Sequence, residues 1–283
     1  MRERSWKIGN RVYDVSRNGL VMGVLNVTPD SFSDGGEFLE ADRGTERGLQ
    51  MAAEGAHIID IGGESARPGS EPVTVEEELH RVIPVIQNLR PKLDVPISID
   101  TSKAEVARAA IEAGASIVND VTGGRGDHQM LPLVAETKSA FVIMHMQGNP
   151  LTMQMQPHSK HVVAEISEFF RQQYALAIGL NIDPMAIAFD PGIGFGKTLE
   201  HNLELLAKLE QLRTHDRAMV VGVSRKAFLG KLIRSPEIRD RLTPGVALTS
   251  LLRARGADVF RVHDVRENVY ALRVTEAILQ KAQ

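Results

Sequence analysis

The six residues GAHIID at positions 55–60 return in nearly the same form as GASIVN at 114–119 and GADVFR at 256–261. In each copy a glycine ends a stretch with helical periodicity, and a short apolar run follows it. A glycine just past a helix end adopts the left-handed conformation that caps the last carbonyls and returns the chain toward a sheet. The repeat therefore predicts units in which a helix leads into a buried strand.

Eight short apolar runs rich in β-branched residues lie along the chain, and each is followed by a helix candidate, for example at 75–89 and 103–113. The runs occupy residues 20–27, 57–63, 96–101, 116–121, 140–146, 186–192, 218–225 and 259–264. Strands that alternate with helices pair in parallel, and near-continuous apolarity is typical of strands buried on both faces. We predict one (β/α)8 TIM barrel, with a doubly wound sheet as the alternative.

Length and composition agree with a single α/β domain over residues 1–283. The chain has 43% hydrophobic and 24% charged residues, which is ordinary for a globular protein, and it contains no long linker. Before the first unit, residues 6–15 have the pattern of two short strands around Gly9-Asn10. We predict a β-hairpin that closes the bottom of the barrel.

Charge and cysteine content exclude several classes of protein. With 33 basic and 36 acidic side chains, the chain lacks the electrostatic footprint of a nucleic-acid or membrane-surface protein, so we expect a small-molecule partner. The absence of cysteine excludes disulfide scaffolds, thiolate metal sites and thiol nucleophiles. No signal peptide and no apolar stretch near the ~20 residues of a membrane span is visible, so we expect a cytoplasmic protein.

Polar residues close nearly every predicted strand. A single strand-end aspartate is often only the N-cap of the next helix. In a barrel, however, the strand ends converge on one mouth, where catalytic groups lie. The strand-end residues are Asn26, Asp60, Glu64, Asp100, Asn119, Asp120, His145, Asp190, Ser224, Arg225, Lys226, Arg261 and His263.

Three loops carry further signals. FDPGIGFGK at 189–197 matches no nucleotide-binding glycine pattern, and we expect its glycines to let the backbone approach a flat ligand near Phe195. Phe32, a lone aromatic in a polar loop, suggests a lid that stacks on a ligand, the alternative being a ring folded onto the barrel rim. Lys226 precedes a predicted short helix at 227–233, a position where barrels often bind anions.

Seven motifs, in one order along the chain, resemble the dihydropteroate synthase family. They are NVTPDSFSDGG at 26–36, GGESARPG at 62–69, ISIDTSK at 97–103, IVND at 117–120, FDPGIGFGK at 189–197, VSRK at 223–226 and RVHDV at 261–265. The resemblance implies a barrel transferase of folate biosynthesis, cytoplasmic and homodimeric. Such enzymes join 7,8-dihydropterin-6-methyl pyrophosphate to para-aminobenzoate and release pyrophosphate.

The resemblance also implies a role for each matching residue. Pterin binding falls to Asp100, Asn119, Met144, Asp190, Phe195 and Lys226. Pyrophosphate binding falls to Asn26, Arg67, Arg261 and His263, and Asn26 is also the contact to Mg²⁺. Para-aminobenzoate binding falls to Phe32, Ser65, Pro68 and Lys226. The catalytic set is Asp30, Phe32, Asp34, Arg67, Lys226, Arg261 and His263.

These residue types suit the chemistry. A pterin edge shows donors at its amino group and N3 and acceptors at O4 and N5, so it needs carboxylates on one side and a cation on the other. A leaving pyrophosphate needs cations where its charge develops. Magnesium prefers oxygen ligands and substrate phosphates to a dedicated protein cage, so one asparagine is enough.

Two positions depart from the family pattern. Ala66 stands where the family usually has threonine, and Ala227 stands where it often has serine. Both lie on the para-aminobenzoate side, so we expect the departures to affect ligand preference rather than catalysis.

Two other functions share part of this pattern. A methyl-folate:corrinoid methyltransferase shares the pterin-binding barrel but has no use for a pyrophosphate clamp, so Arg67, Arg261 and His263 favour the synthase. A non-catalytic pterin-binding paralogue would combine an intact pterin pocket with a broken first loop or anion site, and both are intact here.

Overall fold

A short hairpin precedes the barrel, as predicted. The computed structural model describes residues 3–28, 37–65, 69–148, 153 and 159–281, with 37–40 as backbone only. In the hairpin, β1 (Ser5–Ile8) pairs antiparallel with β2 (Arg11–Asp14). Trp6 is fully buried and donates its indole N–H to the Ala186 carbonyl at 3.1 Å. The hairpin therefore packs against the N-terminal end of the barrel and closes it.

Eight parallel strands form a closed barrel in the order β10-β3-β4-β5-β6-β7-β8-β9, so the doubly wound alternative is wrong. The strands are β3 (Leu20–Asn26), β4 (Ile58–Gly62), β5 (Ile97–Asp100), β6 (Ile117–Asp120), β7 (Ala140–Met144), β8 (Ile187–Asp190), β9 (Ala218–Val221) and β10 (Val259–Val262). Each lies within one of the eight predicted runs and is shorter than it. The residues left over at the C-terminal ends belong to the loops.

Helices follow the barrel strands, and the three helices predicted with explicit bounds match closely. They are α1 (Glu37–Ala53), α2 (Val75–Leu89), α3 (Ala104–Ala113), α4 (Met130–Thr137), α5 (Val162–Gly179), α6 (Leu199–Ala207), α7 (Ala227–Ile233), α8 (Leu242–Ala254) and α9 (Val265–Leu279). The predicted helix at 75–89 coincides with α2, and the short helix at 227–233 coincides with α7. The helix predicted at 103–113 begins one residue later, because Lys103 is its N-cap. Among the described residues, no helix has the length and apolarity needed to cross a membrane.

The repeated Gly-Ala pair forms the helix stop that was predicted. Gly55, Gly114 and Gly256 have φ values of 101°, 117° and 92°. In each copy the N–H of the following alanine donates to the carbonyl five residues earlier, at 3.0, 2.9 and 2.9 Å. This is the Schellman bond, which satisfies a helix carbonyl and turns the chain into the next strand. The motif thus has a mechanical role and no chemical one.

Side chains alternate across the barrel wall, and the two faces differ. Residues such as Ile59, Phe141 and Phe189 point outward and join the large core beneath the helices. Inside, the lower half is filled by apolar side chains: Leu20, Met22, Ile58, Ile117, Ala140, Val142, Ala188, Ala218, Val220 and Val259, packed with Trp6. One step higher on the same inner face the residues become polar, which places the site at the C-terminal end of the barrel.

A buried ionic cluster lies at the opposite end. Asp258, fully buried just before β10, accepts from the Met219 N–H at 3.0 Å. It also forms ion pairs with Arg4 at 3.1 Å, Arg213 at 2.9 Å and Arg253 at 3.6 Å. The cluster joins the N-terminal segment to strands and helices near the C-terminus, far from the polar mouth.

Candidate active site

The barrel mouth brings together most of the residues predicted for the site. Those on or directly after strand ends, within the described residues, are Asn26, Asp100, Asn119, Met144, Asp190, Arg261 and His263; Ser65, Phe195 and Lys226 lie on loops. Asp30, Phe32 and Asp34 of the first loop, with Ala66, Arg67 and Pro68 of the second, lie outside the described residues.

Arg261 links two carboxylates across the barrel. Its Nε donates to Asp60 Oδ2 at 2.6 Å, and its second guanidinium nitrogen donates to Asp100 Oδ2 at 2.5 Å. Asn119 Nδ2 donates to the same Asp60 oxygen at 3.2 Å. Asp60 is completely buried, so it acts as the anchor from which Arg261 and Asn119 are oriented.

Asp60 is one of the predicted strand-end residues, but the family resemblance implies no site role for it. The signal that identifies it is alternation: Asp60, Asn119 and Arg261 share the inner face with the apolar residues below them. Asp120, also a strand-end residue, lies on the outer face of the barrel wall, two positions after Val118. Its carboxylate accepts from Thr122 N at 2.7 Å and Gly124 N at 2.8 Å, so it closes its own loop.

Burial governs the protonation of the inner carboxylates. It raises the pKa of Asp100 to about 7, although Arg261 opposes the shift. The pKa of Asp190 is raised as well by burial, against a hydrogen bond from Gly192 N at 2.7 Å. For Arg261, burial disfavours the charge, but Asp60 and Asp100 outweigh it and hold the pKa above its usual range. Arg261 is therefore a permanent cation beside Asp100, whose carboxyl can titrate near neutral pH.

Lys226 and Phe195 form the opposite wall. The Lys226 ammonium lies 3.9 Å from the centroid of the Phe195 ring, a cation–π contact. Burial lowers the pKa of Lys226 to about 7, with Asp190 acting in the other direction. Phe195 also packs against the cluster that contains Met144. An apolar surface thus lies between carboxylates and a cation, as a flat heterocycle with donors and acceptors on its edge requires.

The glycines at 192, 194 and 196 serve a different purpose from the one expected. All three have positive φ, but a Cβ at Gly192 would collide with the His145 carbonyl and one at Gly196 with the Gln147 carbonyl. The expectation that they face a ligand is wrong for these two, because they let two loops of the protein pack backbone against backbone. At Gly194 a Cβ would lie 3.3 Å from Lys226 Cδ, beside the site.

The anion side is built on β10 and its loop. His263 Nδ1 lies 3.1 Å from Ser224 Oγ, and its backbone N–H donates to the same hydroxyl at 3.2 Å. Burial, with the nearby charges of Arg261 and Arg225, lowers the pKa of His263 to about 3. His263 is therefore a neutral hydrogen-bonding group at neutral pH, and the positive charge comes from Arg261.

The second loop is tied down at its start. Lys103 bridges Glu64 in that loop and Glu78 of α2, the latter at 2.5 Å. Ser65, the next residue, accepts from Ser70 Oγ at 2.9 Å. These contacts place Ser65 on a loop whose base is fixed to α2 and to the loop after β5.

Comparison with known proteins identifies relatives of the whole barrel. Residues 22–263 match the family model described as pterin binding enzyme. A dihydropteroate synthase of Synechocystis sp. is 44% identical over 271 residues, which cover 96% of this chain and 94% of that protein.

Two solved structures agree in fold. A Yersinia pestis dihydropteroate synthase in a sulfonamide drug complex has a TM-score of 0.91 and 39% identity, and the match covers 98% of this chain and 99% of that one. A Xanthomonas albilineans dihydropteroate synthase with 4-aminobenzoic acid has a TM-score of 0.91 and 42% identity, with 98% of each chain covered. The similarity extends over the strands and loops that carry the site.

Proposed function

Because the chain belongs to the pterin-binding enzyme family, with dihydropteroate synthases as its relatives over nearly its whole length, we propose that its barrel mouth carries out their reaction with the residues described above. The enzyme is a transferase of folate biosynthesis. It joins 7,8-dihydropterin-6-methyl pyrophosphate to para-aminobenzoate and releases pyrophosphate. The observation that carries the assignment is that Asp100, Asp190 and Arg261 all lie near the Lys226 ammonium, which rests against the Phe195 ring.

In this assignment the inner carboxylates hold the pterin edge. Asp100 and Asp190 accept from the ring N–H and the amino group, with Asn119 as an amide partner. Lys226 donates to the acceptor side of the ring, and Met144 and Phe195 contact its faces. The buried setting makes each of these hydrogen bonds stronger than it would be in water, because few competing water molecules are present.

The leaving group is stabilised on the other side. As the methylene carbon–oxygen bond breaks, its electron pair stays on the pyrophosphate oxygen, and Arg261 and neutral His263 face the charge that develops there. The neutral amine nitrogen of para-aminobenzoate then forms the new carbon–nitrogen bond and loses a proton. Arg67 is proposed to add a second cation, and Ser65 and Pro68 with Asp30, Phe32 and Asp34 are proposed to cover para-aminobenzoate and exclude water.

Magnesium is proposed as the cofactor, with Asn26 as its protein contact. Asn26 ends β3 on the inner face, and an amide oxygen suits a hard cation. The described residues hold no group of three or more His, Cys, Asp or Glu side chains that could bind a metal ion. Substrate phosphates and water are proposed to complete the coordination, and the ion would neutralise charge on the pyrophosphate.

The test is pyrophosphate release by the purified protein with dihydropterin pyrophosphate and Mg²⁺, with and without para-aminobenzoate. Release that depends on the amine, with an equal amount of dihydropteroate formed, is the expected result. Repeating the assay after chelation of the metal tests the role of Mg²⁺. Pterin binding without amine-dependent release would contradict the proposal and favour a non-catalytic pterin-binding protein.

Asp100 should make pterin binding pH-dependent. Its raised pKa of about 7 means that the carboxylate, the form that accepts two donors, is lost as pH falls through 7. We expect the affinity for a pterin without phosphate groups to fall up to tenfold per pH unit between about pH 6.5 and 5.5. Calorimetric titration measures it, and Asp100→Asn is the control because it removes this titration but not any belonging to the ligand. An equal slope in both proteins would contradict the prediction.

Ala66 should influence inhibitors more than turnover. Ala66→Thr restores the hydroxyl that the family usually has, and one added hydrogen bond is worth about two- to tenfold in affinity. We therefore expect sulfonamide inhibition to strengthen by such a factor while kcat changes less than twofold. Inhibition constants and turnover measured on both proteins decide it, and equal shifts in both, or none, would count against the prediction.

We also propose that the protein is a homodimer and works in the cytoplasm. Tyr270, Val274 and Ile278 recur every four residues along α9 and are 57–65% exposed, and Leu251 of neighbouring α8 is exposed as well. A stripe of exposed apolar residues on two packed helices is typical of an interface, and pairing about a two-fold axis would cover it. Light scattering on the purified protein reports the oligomeric state.

A further inference from the structure

Lys197, the last residue of FDPGIGFGK, has no part in the chemistry assigned above, yet it is almost completely buried. Only 4% of it is exposed. Its ammonium donates to the Phe195 carbonyl at 2.9 Å and the His145 carbonyl at 3.1 Å, and lies 3.2 Å from His145 Nδ1. An ammonium has three N–H donors, so these three acceptors use all of them.

The three contacts connect two neighbouring loops of the mouth. His145 directly follows Met144, the last residue of β7, and Phe195 lies on the loop after β8. Met144 and Phe195 are the residues assigned to the pterin faces. Lys197 therefore fixes the main chain of both loops at Phe195 and at His145, the neighbour of Met144.

The Lys197 ammonium also acts on Asp190, one of the carboxylates assigned to pterin binding. Burial lowers the pKa of Lys197 to about 7, with Asp190 opposing that shift and Lys226 and Arg125 adding to it. Asp190 in turn faces the Gly192 N–H, Lys226, Arg261 and Lys197, each of which favours its carboxylate. His145 lies beside Lys197 and its pKa falls to about 3, chiefly through burial, so it accepts at Nδ1 as a neutral ring.

We propose that Lys197 is a positioning residue of the pterin pocket. It fixes the loops that carry Met144 and Phe195, and it keeps Asp190 in the charged form that accepts from the pterin. It does not touch the substrate, because its donors are all engaged within the protein. The inference rests on the proposed function.

The test compares Lys197→Met, which keeps the length of the side chain but removes its charge and donors, with the wild type. Two carbonyls lose charged donors, and each such bond is worth enough to change binding about tenfold or more. We expect kcat/KM for dihydropterin pyrophosphate to fall at least about tenfold and its acidic limb to move to higher pH, since Asp190 would be protonated more easily. The KM for para-aminobenzoate should change less than about twofold.

Lys208→Met is the matched control. Lys208 is an exposed lysine at the end of α6 and pairs with Glu204 of the same helix, so this variant should leave every parameter unchanged. Lys197→Arg keeps the charge and should keep the wild-type acidic limb, which tests the electrostatic part even where the methionine variant folds poorly. Equal losses toward both substrates together with an unshifted limb would overturn the inference in favour of a structural role. A wild type without amine-dependent release would instead overturn the proposed function.

Discussion

Lys226→Ala is expected to lower turnover by about two to three orders of magnitude and to leave the thermal midpoint unchanged or slightly higher. The loss follows because Lys226 is the cation assigned to the acceptor side of the pterin, above the Phe195 ring. The stability follows from the sign of its pKa shift. Burial lowers that pKa from 10.5 to about 7, so the charged ammonium destabilises the folded state relative to the unfolded one. This cost is largest below pH 7, where Lys226 is protonated in both states. Removing the side chain removes that cost and offsets the lost packing.

Steady-state kinetics and thermal unfolding of the same preparation check this prediction. Lys231→Ala is a suitable control, since Lys231 is exposed and lies in the last turn of α7, the short helix that Lys226 caps. Asp190→Asn should behave like Lys226→Ala, because an amide cannot replace the carboxylate on the pterin edge. A variant that loses activity and fold together would contradict the assignment and favour a structural role for the residue.

Asp258→Asn should give the opposite outcome, with the free energy of unfolding lowered by about 3–5 kcal/mol and the kinetics unchanged where the variant is folded. The amide can still accept from Met219 N, but Arg4, Arg213 and Arg253 lose their common carboxylate. Breaking a buried ion pair on one side leaves uncompensated charge. Here Arg4 and Arg213 lose the carboxylate they share, and Arg253 keeps its ion pair with Glu276 at 2.8 Å.

Denaturant unfolding measures the change, and Asp183→Asn provides the control. Asp183 pairs with Lys7 at 2.7 Å, but about two fifths of each side chain is exposed, so that pair should contribute less than about 1 kcal/mol. A loss for Asp258→Asn no larger than for Asp183→Asn would contradict the prediction. A changed KM for either substrate would also contradict it, because the Asp258 cluster and the candidate active site lie at opposite ends of the barrel.

The fold was predictable because its signals are local. The Gly-Ala helix stop and the apolar runs each depend on a few neighbouring residues, and they identified eight strands in the correct order. The strand ends were predicted less well. The run at 218–225 stays partly apolar beyond Val221, but the ladder of β9 ends there, because pairing depends on the neighbouring strands rather than on hydrophobicity.

The site was predictable in part, for a related reason. The strand-end residues follow from the barrel topology, and counting alternate positions would also have separated Asp60 from Asp120. Lys197 and the neutral state of His263 could not be read in this way. Both depend on contacts between loops that are distant in sequence, where no periodicity relates one side chain to another.

The closure of the barrel also sets the order in which the protein can become complete during synthesis. The first strand of the barrel, β3, pairs with its last, β10, and Leu20 lies opposite Val259. The Trp6 indole likewise bonds the Ala186 carbonyl, 180 residues later in the chain. Until β10 leaves the ribosome, both β3 and β9 present an unpaired edge, the feature that makes partly folded sheets aggregate. A partly formed barrel of this protein is therefore exposed to aggregation until β10 is available to pair, whereas the closed barrel presents no such edge.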